Sequence, residues 1–332
     1  MISVQMFKQF NDEKVFEDGL QKPNSEVYDN QWPSDGLVQI SNISIRYRKG
    51  LPLVVKNLSF EVKPGTKLAI VGRTGSGKST ILLALTRIVE ICQGEVGYEE
   101  GDGKIEVDGI NISDLGLHQL RRGLVIIPQD PFLIEGTLRF NIDPRGELSD
   151  ADILEIIVKC EININLDTES VNKDYSPLEE NNEESKKQQI GHKDQKKAKK
   201  ANSISISPKI LDFFIKAKGE NLSLGQRQMI CIARALAQRP KILLMDEATA
   251  SIDEKTDSLI QKIIHEELKD TTVITIAHRL KTVINYDQIL VMSDGQKVEE
   301  GSPKELTAKT NGHFYSMLKE HGGELMSIAN RE

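Results

Sequence analysis

Residues 68–85, LAIVGRTGSGKSTILLAL, set a polar, glycine-rich loop between two apolar segments. The first four residues form the unbroken apolar run of a strand buried on both faces, and the last eight read as an apolar helix. Between them Gly72, Gly77, Lys78 and Ser79 meet the spacing G-x-x-x-x-G-K-[ST]. Glycines let successive backbone N–H groups turn inward as a nest, and the helix N-terminus adds the positive end of its dipole. Lys78 is placed to reach terminal phosphates and the Ser79 hydroxyl to bind Mg2+. A nucleoside triphosphate is the expected occupant, with Arg73, Thr74, Gly75, Ser76 and Thr80 completing the loop around it.

Two further stretches make sense beside that loop. In KILLMDEATA, Asp246 ends an apolar strand and Glu247 follows it directly. Separate roles explain two adjacent carboxylates: Asp246 serves the metal through water, and Glu247 polarises the water that attacks the γ-phosphate. In NLSLGQRQ, Ser223 and Gly225 open a helix and offer a second anion-ready N-terminus. One γ-phosphate does not need two such loops from one molecule, so this one faces a nucleotide held by another domain. An ordinary N-capping serine is the competing reading, and spacing alone leaves the two even.

Composition bounds the rest. A length of 332 residues suits one large domain with subdomains, or two small domains. Hydrophobic residues at 38%, charged residues at 28% and a net charge of -7 give no general attraction to nucleic acid or anionic lipid, and no nucleic-acid partner is expected. Cys92, Cys160 and Cys231 lie far apart without metal-ligand spacing and read as core or half-buried thiols. The N-terminus has no continuous apolar region of a signal peptide, and no window approaches the ~18 apolar residues of a membrane helix. The chain as given is not expected to cross a bilayer by itself.

Along the chain, residues 1–36 are polar and end in the turn cluster NQWPSDG. VQISNISIRY and VVKNLSFEV alternate as strands of an antiparallel layer. The segment KSTILLALTRIVE, ending at Glu90, reads as one helix packed on a sheet. KIEVDG and GLVIIPQ read as strands, and SDADILEIIVKC as a helix capped at Ser149 with Ile153, Ile156, Ile157 and Cys160 on one face. Residues of about 170–209 hold a Glu-rich and then a Lys-rich half with few apolar residues, the composition of a disordered insert. After it, strands such as KILLMD, VITIA and QILVMS alternate with helices, implying a parallel, helix-covered sheet.

The ordered set of motifs closely resembles the nucleotide-binding domain of ABC transporters, and most of all the second such domain of the C subfamily, the multidrug-resistance-associated exporters. The resemblance runs over roughly residues 30–322 apart from the inserts. Its motifs are GRTGSGKST, IIPQDPFLIEGTLRFNIDP around Gln129, LSLGQ (Leu222, Ser223, Leu224, Gly225 and Gln226), ILLMDE, SIDEKT around Asp253, ITIAHRL around His278, and IRYRKG around Tyr47.

The resemblance implies an α/β fold, a RecA-like P-loop NTPase core with an antiparallel β layer and an inserted α-helical subdomain. The core then covers about 37–130 and 236–322, the helical subdomain about 131–235, residues 1–36 a linker that would follow a transmembrane domain, and 323–332 a tail. It further implies that Tyr47 stacks on adenine and that Gln129 contacts Mg2+ or water and reports to membrane domains near the Q-loop. Asp253 lies at a dimer interface, His278 bonds the γ-phosphate, and the signature contacts ATP bound by a second nucleotide-binding domain.

Leu224 stands where most family members have glycine, although the C subfamily often has an apolar residue there. The implied activity is ATP hydrolysis driving export of an organic anion or conjugate at the cytoplasmic face of a membrane. The membrane domains would lie on the same longer chain or on a partner chain. A nucleotide-dependent regulatory cassette of a channel and a soluble ABC-type ATPase are the alternatives.

Overall fold

The computed structural model describes residues 32–92, 103–164, 208–247, 252–277 and 279–320. Outside them lie His278, most of the linker, residues 93–102 of a Gly- and Glu-rich interruption, the tail, and the long insert except Pro208 and Lys209, which open a 3-10 turn. The chain divides into two units: residues up to Pro131 together with those from Gln238 onward, and Phe132–Ala237.

In the first unit, alternation builds β1 (Val38–Ile45) and β2 (Val55–Val62). Unbroken alternation in β1 would bury positions 38, 40, 42 and 44. A register irregularity after Ile40, with Asn42 left-handed at φ 49°, moves the buried set to Ile43 and Ile45. Then β3 (Lys67–Gly72) departs for a second sheet and leads into helix α1 (Lys78–Leu85). The helix read through Glu90 stops at Leu85 because Arg87 is left-handed at φ 49°. From there its buried guanidinium reaches the carbonyls of Ile112 (3.3 Å) and Leu115 (3.0 Å) and the Glu90 carboxylate.

Next, β4 (Lys104–Val107) and β5 (Ile110–Asn111) complete a four-stranded antiparallel sheet in the order β2-β1-β4-β5. Helix α2 (Leu117–Gly123) passes directly into β6 (Leu124–Ile127).

Among its described residues the second unit pairs the short strands β7 (Gly136–Thr137) and β8 (Phe214–Ile215) and carries the helices α3 (Leu138–Ile142), α4 (Asp150–Lys159) and α5 (Leu224–Ala237). Ser149 and Asp152 close a reciprocal capping box at the start of α4, whose Ile153 and Ile157 are buried, as is its C-cap Cys160.

The chain then returns to the first unit with β9 (Ile242–Asp246), α6 (Glu254–Glu266), β10 (Thr272–Ile276), α7 (Leu280–Val283), β11 (Gln288–Ser293), β12 (Gln296–Gly301), α8 (Pro303–Ala308) and α9 (His313–Glu320). The second sheet has the order β12-β11-β3-β10-β9-β6. All its pairings are parallel except β11 with the edge strand β12, where Asp294 and Gly295 make the hairpin turn with φ of 51° and 81°.

Leu68 and Ile70 of β3 pack with Ile81 and Leu85 of α1 and with the antiparallel layer, while Ala69 and Val71 pack with Leu306, Phe314 and Leu318. Each buried aliphatic side chain contributes roughly 1.5–3 kcal/mol. The result is a rigid platform. Register sets Ile70 beside Ile276 and Ile276 beside Asp246, so β10 and β9 end level, β3 runs two residues further to Gly72, and their following loops leave one edge. That carboxyl edge is where open parallel sheets hold ligands.

Residues 32–36, read as the end of a linker, are fastened to this unit together with Leu37. The Trp32 indole donates to Val107 O at 3.2 Å. The backbone N–H groups of Ser34, Asp35, Gly36 and Leu37 donate to the Asp108 carboxylate at 2.8, 3.1, 2.9 and 2.7 Å. The Thr272 hydroxyl donates to Gly36 O at 2.6 Å.

Candidate functional site

The loop between β3 and α1 owes its shape to close approaches. A Cβ on Gly72 would run into the Met292 carbonyl, and one on Gly77 would come within 2.9 Å of the Val54 carbonyl. With φ of 152° and 93°, both positions favour glycine on conformational grounds as well. Gly77 is the N-cap of α1 and supplies no side-chain acceptor, so the first-turn N–H groups have no capping side chain. The Ser76 hydroxyl is buried in the loop and has no hydrogen-bond partner among the described residues. Such a group costs about 1–3 kcal/mol until something bonds it.

Lys78 curls back over the loop. Its Nζ donates to Gly72 O at 2.9 Å and Arg73 O at 3.0 Å. Burial lowers its pKa, and the negative charges of Glu247 and Asp246 oppose that shift. A cation held in a shell of carbonyls and carboxylates suits a polyanionic ligand.

Ser79, the next residue, donates from Oγ to Asp246 Oδ1 at 3.2 Å across a sequence separation of 167. A hydroxyl and a carboxylate form an all-oxygen donor pair, the kind Mg2+ takes. Among the described residues no group of three His, Cys, Asp or Glu could hold an ion. The residues therefore fit a metal that binds through one or two protein oxygens and a ligand's phosphates.

Glu247 carries a feature that local patterning does not disclose. Its backbone is left-handed at φ 47°, and its N–H donates to Ile276 O at 3.1 Å. For a residue with a Cβ that conformation costs roughly 1–2 kcal/mol. It places Glu247 Oε2 3.1 Å from the Gln129 side-chain nitrogen, which donates to it. Tyr47, just past β1, has its hydroxyl 3.0 Å from Thr80 Oγ1 on α1 and stays 52% exposed.

These contacts join Tyr47, residues 72–80, Gln129, Asp246 and Glu247 at one edge of the sheet. Other expected residues are employed differently. Arg73 points outward, 85% exposed, towards Glu320 at 3.6 Å. Asp253 is the N-cap of α6, accepting from the Thr256 N–H at 3.0 Å and the Thr256 hydroxyl at 2.8 Å. The bond from the Thr256 N–H, then that from its hydroxyl, holds the Asp253 carboxyl below the ordinary range. Ala277, which precedes the undescribed His278, donates its N–H to Ile70 O at 3.1 Å.

In the second unit, Ser223 and Gln226 cap α5 reciprocally: the Gln226 N–H donates to Ser223 Oγ at 3.2 Å, and the Ser223 N–H to Gln226 Oε1 at 2.9 Å. The capping reading of Ser223 thus describes its local role. Ser223 is exposed, Leu222 is buried, and Leu224 and Gly225 are half-buried in the first turn.

Comparison with known proteins gives a consistent result. The family model described as ABC transporter matches residues 55–250. The ATP-dependent bile acid permease of Saccharomyces cerevisiae is 43% identical over 304 residues, covering 91% of this chain and 17% of the permease. ATP-binding cassette sub-family C member 3 of Rattus norvegicus is 42% identical, covering 88% of this chain and 16% of its own length. ABC transporter C family member 9 of Arabidopsis thaliana is 39% identical, covering 87% and 16%. This chain thus spans only about one sixth of the length of the curated relatives it matches. A solved bacterial Atm1-family ABC exporter with ATP bound is 28% identical with a TM-score of 0.71, over 96% of this chain and 47% of that one.

Proposed function

Because this chain belongs to the ABC transporter family, with C-subfamily members among its relatives, we propose that it is an ATP-binding and hydrolysing cassette that powers export of an organic anion or conjugate. The observation that carries the proposal is the Ser79–Asp246 contact beside the glycine cradle: two oxygen donors from distant parts of the chain converge where a triphosphate's metal belongs.

In this reading Tyr47 stacks on the base. The loop N–H groups, the Ser76 hydroxyl and Lys78 bind phosphate oxygens. Ser79, Asp246 and Gln129 would hold Mg2+, which when bound screens phosphate charge. Glu247 accepts a proton from the attacking water, and His278 bonds the γ-phosphate. The cradle is completed by the signature of a second nucleotide-binding domain, and residues 222–226 serve that partner's ATP in return. Asp253 lies at the shared face, and membrane domains dock near Gln129. Among the described residues no helix is long and apolar enough to cross a membrane, so the transport path is assigned to other segments or chains.

Calorimetry of the purified chain with ATP, with and without magnesium, tests the reading. Magnesium-dependent binding followed by phosphate release is expected. No magnesium-dependent affinity would overturn it.

A further inference from the structure

The guanidinium of Arg279 joins the loop after β10 to the loop before α6. Its Nη2 donates to Ile252 O at 2.9 Å, and its Nη1 lies 3.6 Å from Asp257 Oδ2. Ile252 immediately precedes Asp253, and Asp257 sits one turn beyond it. The fork therefore engages a backbone carbonyl before, and a side-chain carboxylate after, the cap that Asp253 makes with Thr256.

Two features make this grip firm. The Asp257 side chain is only 9% exposed, so the ion pair is sheltered from solvent screening. The strand from which Arg279 emerges lies between β3 and β9, with Ala277 tied to Ile70.

We infer that Arg279 is a positioning residue, which makes the Asp253 loop follow the end of β10 and so couples the face that meets a second cassette to the strand end that adjoins the phosphates. This rests on the proposed function, in which Asp253 and His278 act on those two faces. A lysine could engage either the carbonyl or the carboxylate, but it lacks the planar fork that spans both.

The test is Arg279→Ala in the full chain. Its turnover number is expected to fall roughly ten- to a hundredfold through misplacement alone, with the KM for ATP unchanged. Arg279→Lys should recover part of the loss, and adding Asp257→Asn to Arg279→Ala should cost little more. Hydrogen exchange, which needs no turnover, should speed up at the amides of residues 253–257 and stay unchanged in β4.

Unchanged exchange at 253–257 overturns the inference. So does a loss in which kcat, KM and melting temperature all move together, the mark of a merely structural residue. Asp253→Ala separates the two levels. If it leaves turnover intact, the reading of that loop fails; if it abolishes turnover while Arg279→Ala does not, only the inference about Arg279 fails.

Discussion

Gln129 and Glu247, 118 positions apart, meet through a 3.1 Å hydrogen bond from the amide nitrogen to the carboxylate. In the proposed mechanism both groups are needed elsewhere, the amide oxygen for the metal and the carboxylate for water. The bond therefore holds the pair in readiness, and a nucleotide must exchange it for contacts of its own.

Glu247→Gln keeps the shape of the side chain and removes the base. Phosphate release under single-turnover conditions is expected to fall by about 10²–10⁴-fold, while the calorimetric affinity for ATP stays within a few-fold. Equal rates in the two proteins would remove Glu247 from the mechanism.

Lys78→Ala should act on binding instead. Losing one hydrogen bond between charged groups is worth about 1.5–3 kcal/mol, or on the order of ten- to a hundredfold in Kd. Burial lowers the pKa of this lysine in the free protein, and a bound triphosphate would raise it again. Binding then takes up a proton whenever the pH exceeds the lowered value. ATP affinity should fall as the pH rises through that window, and calorimetry in buffers of different ionisation enthalpy should show proton uptake that disappears in Lys78→Ala.

Asp108→Ala would strand the N–H groups of residues 34–37 that its carboxylate now accepts. A destabilisation of about 3 kcal/mol is expected, since bonds to a charged acceptor exceed neutral ones. Denaturant unfolding measures it, and amide exchange at 34–37 should accelerate. Asp108→Asn should be intermediate.

How much of this was legible in the sequence follows from how far apart the interacting residues lie. The phosphate loop is a local pattern, so residues 72–79 could be read from spacing, as could Asp246 at the end of an apolar run. Ser149 was readable for the same reason, because its partner is three residues away. Asp108 was not: it was read into the strand KIEVDG, and its acceptor role depends on residues more than seventy positions earlier. The left-handed backbone of Glu247 and the reach of Arg279 are likewise products of packing. Residues 32–36 have a linker's composition, but the bonds that fasten them come from β4, its following turn and β10. The overlong reading of α1 failed because Arg87 finds its acceptors in another segment.

Tyr286 offers a probe of the fold itself. Its phenol bonds to Thr275 at 3.1 Å, and burial pushes its pKa up from 10.0 to about 12. The folded state thus favours the neutral phenol. Its stabilising contribution is complete below pH 10 and is lost as pH rises through about 12. In an alkaline titration followed by phenolate absorbance, one of the six tyrosines should ionise late, together with unfolding. Tyr286→Phe should remove that late step.

The strand order has a bearing on synthesis. Both neighbours of β3 in its sheet, β10 and β11, are encoded more than two hundred residues after the residues they pair with. A nascent chain on the ribosome will carry its glycine loop on an orphan strand until Ile276 has emerged from the exit tunnel, by which time the whole Phe132–Ala237 unit has already been made. Translation that stops short of β10 should therefore yield a product with the phosphate motif intact, no affinity for nucleotide, and a bare apolar strand for chaperones to shield.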